Sequence, residues 1–255
     1  MIPRHEAETN TQSTASPYTD EGRRKASYVK SMFAAIVDRY DLLNGVLSLR
    51  RDQAWRRFAA SRALSTSGTL ILDVAFGTGE LARHVLGQGH DATVVGLDFS
   101  PPMLARARER LGQPLHNGRI RPVLGDIMQL PFPNATFDAV TFAFGLRNVA
   151  DMARALRELA RVAKPGAPIV ILELTRPPYP IVRQLHALGM FALIPAIGRL
   201  VSGNSGAYLY LPESIMGLVS PEEVTRLMND AGIQEVQTRH LTLGIATVWS
   251  GTNAG

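Results

Sequence analysis

Apolar residues recur at helical spacing from Lys25 to Asn44, at Val29, Met32, Phe33, Ile36, Val37 and Tyr40. Trp55, Phe58 and Leu64 mark a second helix. Then the period changes. Short apolar runs, bounded by acids, glycines or prolines, alternate with amphipathic stretches. The pattern predicts strands at about 69–74, 92–97, 119–124, 137–144 and 168–174, with helices over Glu80–Leu86, Pro101–Leu111 and Asp151–Val162 between them. This βαβ rhythm, over roughly residues 69–174, is that of an α/β fold. Residues 175–219 break it with prolines, glycines and the aromatics Tyr179, Phe191, Tyr208 and Tyr210. They predict a helical insertion over the carboxyl ends of the strands, where such sheets bind ligands. Ser220-Pro221-Glu222-Glu223 opens a last helix with a serine cap, a proline in the first turn and a glutamate three residues on. Ile233–Arg239 and Leu243–Ser250 follow as a terminal antiparallel hairpin.

The first 24 residues are polar and aperiodic, and predict a disordered tail before a single domain at 25–255. Within it, 25–64 reads as an N-terminal helical lid and 175–219 as the substrate cover. At 255 residues and 45% apolar, the chain affords one α/β core. Its net charge is +5, and the basic residues are spread as Arg23-Arg24-Lys25, Arg50-Arg51 and Arg56-Arg57. A nucleic-acid footprint needs denser clustering, so no nucleic-acid partner is expected. With no cysteine, thiolate nucleophiles, disulfides and cysteine-bound zinc are excluded, and no metal is expected. The polar N-terminus does not read as a signal peptide. The longest apolar stretch, Leu185–Ile197, is interrupted by His186, Gly189 and Pro195 and is too short to span a bilayer. The expected location is the cytoplasm. Peripheral contact with a membrane and a homodimer are both compatible with the sequence.

The most informative segment is Ile71-Leu72-Asp73-Val74-Ala75-Phe76-Gly77-Thr78-Gly79-Glu80-Leu81. An apolar run ends in an acid, and a glycine turn leads into a helix. Val94-Val95-Gly96-Leu97-Asp98 follows one unit later, with Asp98 placed to hold a ribose. The glycine pattern alone admits a dinucleotide. Asp73 tilts the choice, because a carboxylate before the turn repels a pyrophosphate and suits a cationic ligand. S-adenosylmethionine (SAM) carries a sulfonium and an amino group and no phosphate. Asp73 as a cap on the turn is the structural alternative. After the third strand, Asp126 can accept from the adenine amino group while Ile127 packs on the ring. Asp138, before the fourth strand, reads as structural.

The chain resembles the UbiE-type ubiquinone/menaquinone biosynthesis C-methyltransferases, nearest to the demethylmenaquinone methyltransferases. The matching stretches include Tyr40-Asp41-Leu42-Leu43-Asn44, Trp55-Arg56-Arg57, the turn at 73–81, and Asp98 with Ser100, Met103 and Leu104. Further on come Leu130-Pro131-Phe132-Pro133, Lys164-Pro165-Gly166 and Tyr210-Leu211-Pro212-Glu213-Ser214-Ile215. Phe144-Gly145-Leu146-Arg147-Asn148-Val149 is the most selective. The resemblance implies a class I methyltransferase fold: a Rossmann-like seven-stranded sheet with a terminal hairpin and a helical cover. It implies SAM as cofactor and S-adenosylhomocysteine as product. Cofactor contacts are then expected from Tyr40, Asn44, Asp73, Ala75, Gly77, Thr78, Gly79, Asp98, Phe99, Met103, Asp126, Ile127 and Ala143. The implied reaction methylates a ring carbon of a phenolic or quinol acceptor, demethylmenaquinol first among them. Arg147 is expected to stabilise a ring oxyanion, unless it braces its loop through a salt bridge. Asn148 is expected to orient the ring or the lid, and His186 to act as base if not a packing residue. Tyr208, Tyr210 and Met216 are expected to bind the acceptor. Departures from the family pattern stand at Phe76, usually small, at Arg50, usually glycine, and at Met216, usually arginine. Another aromatic or prenylated metabolite is therefore the alternative acceptor. A nicotinamide enzyme and a non-catalytic SAM-binding protein are the remaining alternatives.

Overall fold

The computed structural model describes residues 19–66, 68–89, 91–189 and 206–255. Its centre is a seven-stranded sheet in the order β3-β2-β1-β4-β5-β7-β6. The strands are β1 Leu70–Val74, β2 Thr93–Asp98, β3 Ile120–Leu124, β4 Ala139–Ala143, β5 Pro168–Leu174, β6 Ile233–Leu241 and β7 Ala246–Asn253. The first five pair in parallel, and β7 runs antiparallel to both β5 and β6. β4 is buried throughout and β5 nearly so, as parallel strands covered on both faces must be. The chain order reverses between β1 and β4, and ligands bind at the carboxyl ends of strands at such a switch point.

The helices follow the expected alternation: α1 Asp20–Ile36, α2 Tyr40–Leu47, α3 Arg51–Ala63, α4 Glu80–Gln88, α5 Pro101–Leu111, α6 Gln113–His116, α7 Met152–Val162 and α8 Pro180–Leu188. Helices Gly206–Gly217 and Pro221–Asp230 complete the set described. The Ser220 side chain accepts from Glu223 N at 3.2 Å, so the last helix is capped as expected.

Several boundaries differ from the sequence reading. The first helix begins at Asp20, not Lys25, because the Thr19 hydroxyl caps it by accepting from Gly22 N at 3.1 Å. The expected tail is therefore shorter at its carboxyl end. The apolar run to Asn44 is not one helix, since a 3₁₀ turn at Val37–Arg39 separates α1 from α2. The hairpin's second strand starts at Ala246, after the left-handed residues Thr242 and Leu243. Of the cover expected at 175–219, the structure describes α8 and the helix from Gly206. Phe191 and the side chain of Tyr208 lie outside the described residues.

Candidate active site

The turn after β1 is built by backbone geometry. Gly77 and Gly79 adopt φ of 56° and 82°, left-handed values that favour glycine. Gly77 N then donates to Asp98 Oδ2 at 2.7 Å, and Ser100 N donates to Asp98 Oδ1 at 2.9 Å. The carboxylate keeps acceptor capacity for an outside donor such as a ribose hydroxyl. Burial pushes the Asp98 carboxyl up to about 6, against the pull of those backbone donors.

A cleft of about 790 Å³, its open mouth included, lies over the carboxyl ends of β1, β2 and β4. Nine expected cofactor residues border it: Tyr40, Ala75, Gly77, Asp98, Phe99, Met103, Asp126, Ile127 and Ala143. The opposite wall comes from α1, through Ala26, Val29 and Phe33. The apolar face of that helix thus lines a cavity as well as packing against the body. Phe33 meets Tyr40 edge-on, with ring centroids 5.7 Å apart.

Asp73, Thr78 and Gly79 stand behind the cleft wall instead of bordering it. Asp73 is 1% exposed, and the Thr141 hydroxyl donates to its Oδ1 at 2.8 Å. Its Oδ2 is buried with no hydrogen-bond partner. Burial pushes its carboxyl up to about 7, while Thr141 and the charge of Arg56 pull the other way. The Thr78 hydroxyl donates to Asp41 at 2.6 Å and so ties the turn to α2. Arg110 reaches both Asp41 and Glu80, which joins α5 and α4 to the same knot.

These features suit SAM. The Asp98 carboxylate and the unpartnered hydroxyl oxygen of Ser100, both on the lining, provide polar atoms for the cofactor's donors. The remaining lining is largely apolar, as an adenine and a thioether chain require.

A second cavity of about 1470 Å³, mouth included, adjoins the first, and Tyr40 and Phe144 border both. Arg147, His186 and Asn44 line this one. Asn44 therefore faces the second cavity, and Asn148, expected in catalysis, faces the first. Arg147 is buried and ion-paired with Glu173, which is 0% exposed. Its Nη1 also donates to Phe144 O at 2.9 Å, and its backbone N donates to Glu173 Oε2 at 3.1 Å. The bracing arrangement is thus present, on a side chain that still borders the cavity. His186 is half-buried on α8, and burial lowers its pKa. His240 is bonded to Thr247 Oγ1 at 3.0 Å and borders neither cavity.

Two acceptor-binding expectations change. Met216 borders neither cavity and is 38% exposed; its neighbour Ile215 points inward and lines the second cavity. Tyr210 borders neither cavity and braces instead, donating to Asn148 Oδ1 at 3.0 Å and packing on Tyr28 at 5.5 Å. Asp138 is structural, as expected. Its Oδ2 accepts from Thr69 N and Leu70 N at 3.0 and 2.9 Å, and Lys164 reaches Oδ1 at 2.6 Å. The sequence reading passed over Trp55, Arg56, Asp52 and Phe144 as cavity residues. Trp55-Arg56-Arg57 and Phe144–Val149 were family-matching stretches, but no cavity role was read from Trp55, Arg56 or Phe144. Among the described residues no cluster of potential ligands could hold a metal.

Residues 21–253 match the ubiE/COQ5 methyltransferase family. The demethylmenaquinone methyltransferase of Deinococcus radiodurans is 43% identical over 92% of this chain and 96% of its own. The enzyme of the same name from Thermus thermophilus is 44% identical over 86% and 99%. The ubiquinone/menaquinone biosynthesis C-methyltransferase UbiE of Geobacter sp. is 39% identical over 89% and 97%. Among solved structures, the putative methyltransferase bound to the Haloferax volcanii activator Trm112 shares the fold at a TM-score of 0.63 and 18% identity, over 88% and 98%. A SAM-dependent methyltransferase from Aquifex aeolicus does so at 0.58 and 20%, over 83% and 96%. With a full-length match laid over this cleft, the chain belongs to the ubiE/COQ5 methyltransferase family and is a SAM-dependent methyltransferase.

Proposed function

We propose that the enzyme methylates a ring carbon of a hydroxylated aromatic acceptor, demethylmenaquinol in the first instance, to give menaquinol. The observation that carries this reading is the pair of adjoining cavities sharing Tyr40 and Phe144, with Arg147 and His186 in the larger one. SAM, when bound, supplies an electrophilic methyl group and leaves as S-adenosylhomocysteine. Asp98 would hold the ribose, Asp126 and Ile127 would frame the adenine, and Asp73, behind the cleft wall, would balance the charge of the amino end through its field. Tyr40 and Phe144 exclude water from the junction where the carbon–sulfur bond breaks and the carbon–carbon bond forms. Arg147 faces the ring oxygen whose charge makes the neighbouring carbon nucleophilic. The ring proton displaced by the methyl group passes to His186, whose neutral form burial favours.

The departures at Phe76, Arg50 and Met216 fall outside both cavities, which favours the family acceptor over a different metabolite. A prenylated acceptor partitions into lipid. Ile181, Leu185 and Leu188, exposed along α8 after the exposed Tyr179, support peripheral contact with a membrane from the cytoplasmic side. Incubation with methyl-labelled SAM and demethylmenaquinol, followed by mass spectrometry, tests the reaction. Label on the ring carbon is expected. Label on oxygen, or turnover of soluble phenols alone, overturns the quinol assignment.

A further inference from the structure

Arg56 is a second buried cation of the larger cavity. It stands on α3, which packs against α4, β4 and β5 and so holds it at the carboxyl side of the sheet. Its guanidinium lies 4.7 Å over the Phe144 ring, the wall shared by the two cavities. Its Nε is buried without a hydrogen-bond partner. Among the described residues its ion pair is with Asp52, at a loose 3.7 Å. Both Asp52 oxygens are already engaged, by the Ser48 hydroxyl at 2.8 Å and the Gln53 amide at 2.9 Å. Arg147 differs, since the fully buried Glu173 compensates it directly. A buried Nε–H without a close acceptor is costly, and an incoming anionic oxygen would relieve that cost. Among the described residues the cavity is also lined by Arg51 and Arg147, with Asp52 as the one lining carboxylate, so its lining charges sum to positive.

We propose that Arg56 binds the acceptor, donating to a ring oxygen of a hydroquinone or phenolate laid against Phe144. Arg147 borders the same cavity, and each guanidinium takes one oxygen of the hydroquinone. This deepens the acceptor reading above and rests on it.

The test compares the full-length parent with Arg56→Gln and Arg56→Lys. Acceptors are a short-chain 3-prenyl-1,4-naphthohydroquinone and its two mono-O-methyl ethers, and calorimetry gives the Kd of S-adenosylhomocysteine. Arg56→Gln should raise acceptor KM about 10-fold or more, the scale of one charged hydrogen bond, with the cofactor-product Kd unchanged within 2-fold. Arg56→Lys should recover part of that loss. One ether should be a poor acceptor for the parent and be hurt little further by Arg56→Gln, because the oxygen Arg56 binds is already blocked. An equal loss of S-adenosylhomocysteine affinity overturns the inference and assigns Arg56 to the cofactor's carboxylate. A lower Tm with unchanged KM also overturns it, leaving Arg56 a structural strap on Phe144. If Arg56→Gln does not fold, the parent alone decides: equal use of the hydroquinone and both ethers refutes the contact. A parent that methylates no hydroxyaromatic overturns the acceptor reading itself, and this inference with it.

Discussion

The ring of Phe76 occupies the space above Gly96 on the neighbouring strand. A Cβ built on Gly96 would stand 2.3 Å from Phe76 Cδ2. Phe76 is buried, and its backbone N donates to Leu97 O at 3.0 Å, so neither ring nor turn has room to yield. The ring is accommodated because the adjacent strand supplies a residue without a side chain.

Gly96→Ala should therefore overpack the sheet and destabilise the protein by about 1–3 kcal/mol. Phe76→Ala should lose about 3–5 kcal/mol through the cavity it leaves. The double substitution should fall short of the sum, because the new methyl group enters the vacated space. Urea unfolding of the four proteins measures the coupling; strict additivity would contradict the packing.

Arg147→Met should be severely destabilising, by about 3–5 kcal/mol, since it strands the Glu173 carboxylate in the core. Adding Glu173→Gln should restore much of the stability and none of the methyl transfer. Thermal unfolding beside turnover separates the brace from the cavity-facing role. Recovery of activity in the double variant would leave Arg147 with the brace alone.

Arg50 adopts φ of 59° at the start of α3, the left-handed region that favours glycine. Arg50→Gly should relieve about 1 kcal/mol of strain. It should leave kcat and KM unchanged, because Arg50 borders neither cavity. A scanning-calorimetry Tm at or below that of the parent would count against this account.

Burial raises the carboxyls of Asp73 and Asp98 to about 7 and about 6. In the unfolded chain they ionise near 3.9. Between those values the folded protein binds more protons, so its stability is fullest below about pH 4 as regards these two groups. That contribution is lost as pH rises through about 6 and 7. A ligand that donates to the ionised Asp98 and carries positive charge near Asp73 binds better on the alkaline side. S-Adenosylhomocysteine affinity should rise about 10-fold from pH 5.5 to 7.5, with proton release seen by calorimetry in buffers of different ionisation enthalpy. Asp98→Asn should flatten the lower part of that rise. A pH-independent Kd would show that neither carboxyl meets the ligand.

Asp41 joins α2 to the cofactor turn through Thr78 and Arg110, and Tyr40 beside it borders both cavities. Asp41→Asn should raise the S-adenosylhomocysteine Kd several-fold and speed its release. Stopped-flow displacement reads the rate. The global Tm should move little, because the knot is partly exposed. Unchanged release would show that α2 holds its place without it.

The order of elements, the acid-turn-helix at Asp73–Glu80 and Asp98 at the cleft were legible along the chain. Each rests on local rules: apolar runs of strand length, left-handed turns that favour glycine, and an acid at a strand end. The cap at Thr19 was equally local but was masked by the polar composition around it. Side-chain direction at Ile215 and Met216 was not legible, because which side of that helix faces the cavity is set by its docking, not its period.

What the sequence by itself determined is the α/β architecture, the cofactor turn and the family, all carried by short contiguous segments. Only the tertiary structure decided the charges of the larger cavity. Arg147 pairs with Glu173 across 26 residues, and Arg56 reaches Phe144 from a helix that precedes the sheet. Whether a guanidinium is compensated or available depends on which carboxylate lies within a few ångströms. That distance is fixed by how helix and strand pack, and no spacing along the chain encodes it.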